Sequence, residues 1–390
     1  MLSYIYLVIT MKHHLNYSKE DPNYILLGKI FKIIGSRKAK TIMASKDVKN
    51  VNMMILSVKI NFTAIFFNTT MEFVVNELKR DNQLRKFFEI SEVPNALQIS
   101  EFLSRFESDT YVKIVNSILM NTKPLKRRGK LTFIVDATPV DLDYNVKRKH
   151  RSKKHLEKRD LKWSYSSSYG FYIGFKATIV IEKKSAMPVA IIIHSGAPHD
   201  SKIFSEIMEN LRKRRIIRKN DTIIFDRGYY SYKNYQIGIS KYKIVPLIFP
   251  KENFKIQKLN DKLTYPLQVF NDKKTEKQSK QLYNTLKNQL LKKISKWKKY
   301  KPIRGKIEDF FKLCKSGLSL KKLHKYTPES AKRTTILIVF LAGLITQQQV
   351  TPPKQTYKSY PKHKKSKTLN YLLLKYFYET SPMIINLSLK

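Results

Sequence analysis

Cysteine is almost absent: Cys314 is the only one in 390 residues. That excludes an internal disulfide framework and a cysteine-built zinc site, and it fits a reducing cytosol. The eight histidines show no HExxH or other ligand spacing, so histidine-based zinc chemistry is not indicated either. Long apolar runs are also missing. The longest, Ile336 to Ile345, is about half the ~20 residues that a spanning helix needs, and no membrane role is expected. Leu2 to Thr10 is apolar but has neither a basic stretch before it nor a small-residue cleavage site after it. It reads as a packing segment, with a start at Met11 or Met43 as the alternative. The most informative shortage is of acids. Asp and Glu total 30 against 76 Lys and Arg, a formal net charge of +46. Such a field attracts polyanions, so nucleic acid or an anionic membrane surface is the first expectation. With 11 glycines, 15 prolines, 23 tyrosines and 21 phenylalanines, the chain has rings to bury and is not a disordered basic tail.

Three regions differ in character. Residues 1–125 read as mainly helical, with possible DNA binding as one role and plain packing as the other. Within them, MEFVVNELKRDNQLRKFFEI from Met71 reads as one helix, and Ala96 to Phe106 as a second beyond Pro94 and Asn95. Residues 126–348 alternate strand and helix patterns. LTFIV ends at Asp136, FYIGFKATIVIE and PVAIIIH flank the turn-like KKSAM, and DTIIF ends at Asp226. Helices are expected at Asp200 to Arg212, near Tyr232, from about Ser295 to Lys315, and from Glu329 to Ile345. The order describes an α/β fold, a mixed sheet flanked by helices. Residues 145–160 read as a charged surface loop, and 250–290 as an insertion or irregular lobe. Residues 349–390 form a basic C-terminal tail.

Three carboxylates stand out by context. Asp136 and Asp226 each follow an apolar strand, and on neighbouring strands both would emerge at one edge of the sheet. There a carboxylate can hold a hard cation, although a lone strand-end Asp also commonly opens a turn. The third is Glu308. Arg304 lies four residues before it and Lys315 seven after it, so on a helix they share a face. That spacing suits a surface ladder of ion pairs or a metal ligand with phosphate-binding neighbours.

Asp136 in VDATP, Asp226-Arg227-Gly228-Tyr229 and the Arg304-x3-Glu308-x6-Lys315 spacing together resemble the DDE transposases of bacterial and archaeal insertion sequences. These carry an RNase H-like catalytic domain. GFYIGFKATIVIE is similar to the family's second strand, PVAIIIHSGAPHDSKIF to its third strand and following helix, and IEDFFKLCKSGL to its Glu-bearing helix. The likeness covers roughly residues 80–345. Tyr300 lies four positions before Arg304, where the family usually has three, and Gly305 is a weak helix former inside the Glu helix.

The resemblance implies two Mg²⁺ ions, with Mn²⁺ as a substitute, held by Asp136, Asp226 and Glu308. It implies a hydrolytic nick at the element end followed by attack of the freed 3′-OH on target DNA. Arg304, Lys315 and Tyr300 would then grip phosphates, while Arg227 would pair locally or contact the DNA backbone. Asp200 is expected to cap a helix. Asp141, Asp143 and Asp309 are set aside as ligands, the first two as turn residues and the third as pointing ~100° from Glu308. The expected partner is double-stranded DNA, both terminal repeats and target, with a homodimer on paired ends as one arrangement. The expected location is the cytoplasm, at the nucleoid. The alternatives are an RNase H-like nuclease or resolvase without strand transfer, a non-catalytic DNA-binding protein, and a catalytically inactive transposase remnant.

Overall fold

Short polar side chains open most helices of the N-terminal part. In the computed structural model, which describes residues 15, 17–122, 129–142, 162–166, 170–266, 272–321, 323 and 327–349, Asp21 accepts from the Asn23 amide to start α1 (Pro22–Ile34). Ser36 does the same for α2 (Arg37–Ala44), Asn50 for α3 (Val51–Phe66) and Thr70 for α4 (Met71–Arg80). Asp81 leaves the helical conformation and accepts from the Gln83 and Leu84 amides. It therefore divides the single helix expected from Met71 into α4 and α5 (Asn82–Phe88). Asn95 and Gln98 form a reciprocal capping box at α6 (Ala96–Ser104), and α7 (Ser108–Thr122) follows.

The sheet comes next. Its strands are β1 (Thr132–Asp141), β2 (Lys162–Ser166), β3 (Gly170–Glu182), β4 (Pro188–Ser195), β5 (Thr222–Phe225) and β6 (Val245–Ile248). β3 pairs antiparallel with β1, β2 and β4, while β1, β5 and β6 run parallel to one another. Few polar residues interrupt β3 through β6, as befits strands covered on both faces. Gly174 is required where β3 crosses β1, because a Cβ there would come within 2.0 Å of the Val140 carbonyl oxygen. β2 was not expected. Its five residues alternate polar and aromatic, and they follow a charged stretch (143–161) that lies outside the described residues.

Helix α8 (Asp200–Lys213) leads from β4 to β5, and α9 (Tyr232–Ser240) connects the parallel strands β5 and β6. The irregular lobe expected over 250–290 is instead largely helical in its described part: α10 (Ile256–Lys262) and the 23-residue α11 (Lys273–Ser295). Tyr283, Leu286, Leu290 and Ile294 give α11 a buried stripe at helical spacing, and the helix packs on β6. The long helix expected to begin at Ser295 is where α11 ends. A short 3₁₀ turn (Trp297–Tyr300), α12 (Lys301–Lys312), a π-helical turn (Leu313–Gly317) and α13 (Pro328–Gln349) follow. Among the described residues, no single helix is long and apolar enough to cross a membrane. The N-terminal packing segment and nearly all of the basic tail lie outside the described residues.

One hydrophobic core runs from α1 to α13. Phe62 of α3 meets Phe340 of α13 edge to face, with ring centroids 5.3 Å apart. Arg333 of α13 donates to the Leu103 carbonyl, and Glu329 accepts from the Ser108 amide at 3.1 Å. Lys59 is buried yet satisfied, donating to the Phe88 carbonyl and to Glu89. The helical part and the sheet should therefore melt together. Phe340→Ala should destabilise by about 3–5 kcal/mol and lower the melting temperature of a single transition. Two resolved calorimetric transitions would show that the parts fold independently.

Candidate active site

The site starts from strand register. Val135 of β1 is level with Phe225 of β5 in the parallel ladder, so the next residues, Asp136 and Asp226, emerge side by side. Asp136 does not end its strand, as the sequence pattern suggested. β1 continues for five more residues, still paired to β3, with Asp136 opposite Ile179. Its carboxylate accepts from the Ala137 amide at 2.8 Å. Asp226 directly follows β5 and precedes a one-turn 3₁₀ segment, Arg227–Tyr229.

Helix α12 packs against β1 and brings Glu308 to the same place. Ile307, Phe310 and Phe311 are its buried face, which leaves Arg304 and Glu308 together on a side facing the strand ends. Gly305 has no heavy atom within 4 Å of an added Cβ, so it costs helix propensity without serving a close contact.

Arg304 ties the three acids together. Its Nη2 lies 2.7 Å from Asp136 Oδ2, its Nη1 2.6 Å from Glu308 Oε1, and its Nε 3.6 Å from Asp226 Oδ1. The i,i+4 pair predicted within the helix is thus real, but it is not an isolated surface ladder. Burial alone would depress the Arg304 pKa, and the three carboxylates hold it above the ordinary arginine value. Asp136 moves the other way. Burial, against the pull of Arg304 and of the Ala137 amide and helped by the charges of Asp226 and Asp200, pushes its carboxyl up to about 6.

The remaining predicted residues are less uniform. Lys315 sits in the π-helical turn rather than on a continuous α-helix, half-buried. Burial lowers its pKa while the charge of Asp136 acts to raise it, so it belongs to the electrostatic surroundings of the site. Tyr300 occupies the N-cap position of α12, with the Lys293 ammonium 5.4 Å above its ring. Arg227 is exposed beside Asp226 and makes no ion pair among the described residues. Asp309 is exposed and pairs with Lys312 at 3.5 Å. Asp141 is the last residue of β1 and is buried, not a turn residue beyond it, and Asp143 lies outside the described residues.

Asp200 is the residue whose role the sequence pattern misread. The cap of α8 is His199, whose Nδ1 accepts from the Ser201 amide, and Asp200 is the first helical residue. Its carboxylate pairs with Lys176 of β3 at 2.7 Å and lies against Gly228, where an added Cβ would come within 2.6 Å of its Oδ2. Tyr229 is fully buried with its ring tilted against Phe225, centroids 5.0 Å apart, and burial together with the charges of Asp200 and Asp136 pushes its pKa up. The only signal in the sequence was the position of Asp200 just beyond a buried strand, in a segment resembling the family's third strand and helix.

For a divalent ion, the donor set is all carboxylate oxygen, the chemistry hard cations take. Among the described residues, no three acidic, histidine or cysteine side chains stand close enough to form a ready-made metal cluster. The carboxylates instead converge on the Arg304 guanidinium, itself a cation, so a divalent ion and Arg304 would take the same oxygens.

A mixed sheet with order β4-β3-β1-β5-β6, two carboxylates on its adjacent central parallel strands and a third on a helix packed over them is the arrangement of an α/β RNase H-like fold. The family described as the transposase DDE domain matches residues 127–344, more than half of the sequence, and the chain belongs to that family. No curated protein matches the chain. It is accordingly a DDE transposase of the insertion-sequence kind, and membership implies divalent-metal-dependent phosphoryl transfer on DNA.

The raised Asp136 pKa sets a pH dependence for the metal-free chain. The folded value, about 6, lies above the ~3.9 of an unfolded chain, so the folded state binds the extra proton. The stability this group contributes is fully present below about pH 4 and is lost as pH rises through 6. Asp136→Asn should remove that loss and stabilise the metal-free protein at pH 7 by up to about 3 kcal/mol. Denaturant titrations at pH 4 and 7 check this, and an equal effect of the substitution at both would contradict the assignment.

Proposed function

We propose that the chain is the transposase that nicks DNA at the ends of its element and joins the freed 3′-OH to target DNA, with Asp136, Asp226 and Glu308 as catalytic acids. One observation carries this reading: three carboxylates from three separate elements meet at one guanidinium, that of Arg304. In the first step a water oxygen forms a bond to the scissile phosphorus and the bond to the 3′ oxygen breaks. In the second, that 3′-OH attacks a target phosphorus and displaces the target's own 3′ oxygen. Two Mg²⁺ ions, when bound to the three acids, would supply nucleophile activation and stabilisation of the leaving oxygen.

The chain's own groups do the remaining work. Asp136 and Asp226 are fixed by strand register, so their spacing does not depend on a loop. Glu308 is the most exposed acid of the three and the only one on a helix, which lets it adjust as DNA arrives. Arg304 neutralises the acids and, once drawn off by a phosphate, frees their oxygens for metal. Lys315 offers a second positive charge near Asp136 for the transferring phosphate.

Asn at Asp136 or Asp226, or Gln at Glu308, should reduce cleavage to background while duplex binding stays equal or tightens slightly, because negative charge is removed and no bulk is added. Lost binding with cleavage retained would overturn the assignment. Lys315→Ala should slow cleavage roughly ten- to a hundredfold, or ~1.4–2.8 kcal/mol in the barrier, with little change in nonspecific affinity. Paired cleavage rates and salt-titrated affinities separate that local role from the general basic field. Arg304→Met should tighten Mn²⁺ binding to the DNA-free protein severalfold by calorimetry. An unchanged affinity would mean that Arg304 does not compete for the carboxylates.

A further inference from the structure

The long stretch before the catalytic glutamate has a charge pattern that the three acids do not explain. Between Glu276 and Glu308 there is no acidic residue, but there are ten lysines and one arginine. Several of these lysines are held by the fold: Lys287 donates to the Asn260 and Leu263 carbonyls and Lys306 to the Lys183 carbonyl. Others converge. At the C-terminal end of α11 a concavity of about 280 Å³ is lined by Gln289, Lys292, Lys293, Lys296, Lys299 and Tyr300. Among the described residues, none of its four lysines has an acidic partner.

The fold fixes where this concavity lies. Phe249 follows β6 and donates its amide to the Phe225 carbonyl, so it stands level with Asp226 at the strand ends that carry the catalytic acids. Trp297 packs against Phe249 in a tilted ring contact, with centroids 5.5 Å apart. That contact pins the 3₁₀ turn, and with it Lys296 and Lys299, to the catalytic edge of the sheet. From the other side, Tyr300 caps α12, and Arg304 and Glu308 lie four and eight residues further on the same helix face. At 1.5 Å rise per residue, the wall of the concavity is therefore about 6–12 Å from the catalytic groups along the helix. That distance corresponds to roughly two to four base-pair steps at 3.4 Å each.

We propose that this concavity is a second phosphate-binding site, which takes the sugar-phosphate backbone of duplex DNA a few base pairs from the scissile bond. Lys293, held over the Tyr300 ring, forms its inner wall, and Lys292, Lys296 and Lys299 supply the ammonium donors. The site carries no base-reading group other than Gln289, so it positions DNA without selecting sequence. Its four lysines line one concavity with no acidic partner among the described residues, and a phosphate supplies that counter-charge. The proposal rests on the transposase reading of the adjacent acids.

The test uses the full chain, a mixed-sequence duplex of about 30 base pairs, and fluorescence anisotropy at a series of salt concentrations. Three variants are compared with the parent. One combines Lys292→Gln, Lys296→Gln and Lys299→Gln; the second carries Arg at the same three positions; the third combines Lys38→Gln, Lys40→Gln and Lys49→Gln, exposed lysines on α2 and in the bend before α3. At about 0.9 of slope per phosphate contact, the first variant should flatten the plot of log affinity against log salt by about two to three units, and the Arg variant should keep the parent slope. A neutral methylphosphonate linkage placed a few base pairs from the cleavage point should weaken the parent and leave the first variant indifferent. A parent slope retained in the first variant overturns the proposal, as does an equal flattening in the N-terminal variant. Failure of the parent to bind any duplex overturns the transposase reading along with it, whereas binding and cleavage with an insensitive pocket overturn the pocket alone.

Discussion

The contact that organises the end of the sheet where the acids gather is the guanidinium of Arg304 among three carboxylates. Without a central cation, Asp136, Asp226 and Glu308 would face one another at low solvent exposure, and their repulsion would push α12 away from β1. A planar guanidinium with several donors satisfies three carboxylates in a way that a lysine ammonium on a flexible stem would not. The register of β1 against β5 needs no such help, because it is fixed by backbone pairing. The packing of α12 is different. Ile307, Phe310 and Phe311 anchor one side of it, and Arg304 anchors the other.

Much of this architecture was legible in the sequence, for identifiable reasons. Strands β3, β4 and β5 are covered on both faces, so they appear as unbroken apolar runs with turn residues between them. The DRGY and R-x3-E-x6-K spacings added the order of the acids along the chain. What could not be read was the continuation of β1 past Asp136. The residues beyond it, ATPVD, include a proline and an acid, both poor strand signals, and only pairing to β3 holds them extended. Asp81 looked like one more polar position on an amphipathic helix, although its side chain ends one helix and starts the next. The lysine-rich segment before Trp297 looked irregular because its apolar stripe is narrow, four buried residues among many charges.

Asp200 illustrates a different limit. A carboxylate after a proline and a histidine, at the start of a helical pattern, has every local feature of a cap. Its actual partners are Lys176, 24 positions earlier, and the backbone at Gly228, 28 positions later. No local window contains that information, since the sheet topology alone brings β3, α8 and the turn after β5 together. Lys315 is similar: its distance from Glu308 was readable, but the π-helical turn that carries it was not.

The contact between Asp200 and Gly228 also bears on how such sequences diverge. The glycine of the DRGY turn is bare because a carboxylate from another helix fills the room that a side chain would need. The two positions are therefore one unit of selection. A copy in which Gly228 has drifted to a larger residue can keep the turn only if Asp200 has shrunk or moved, and the ion pair with Lys176 would then loosen as well. In a lineage of copies, these three positions should change together or not at all. A copy that keeps Asp136, Asp226 and Glu308 but has broken this trio would carry the mark of an element that no longer needs its enzyme.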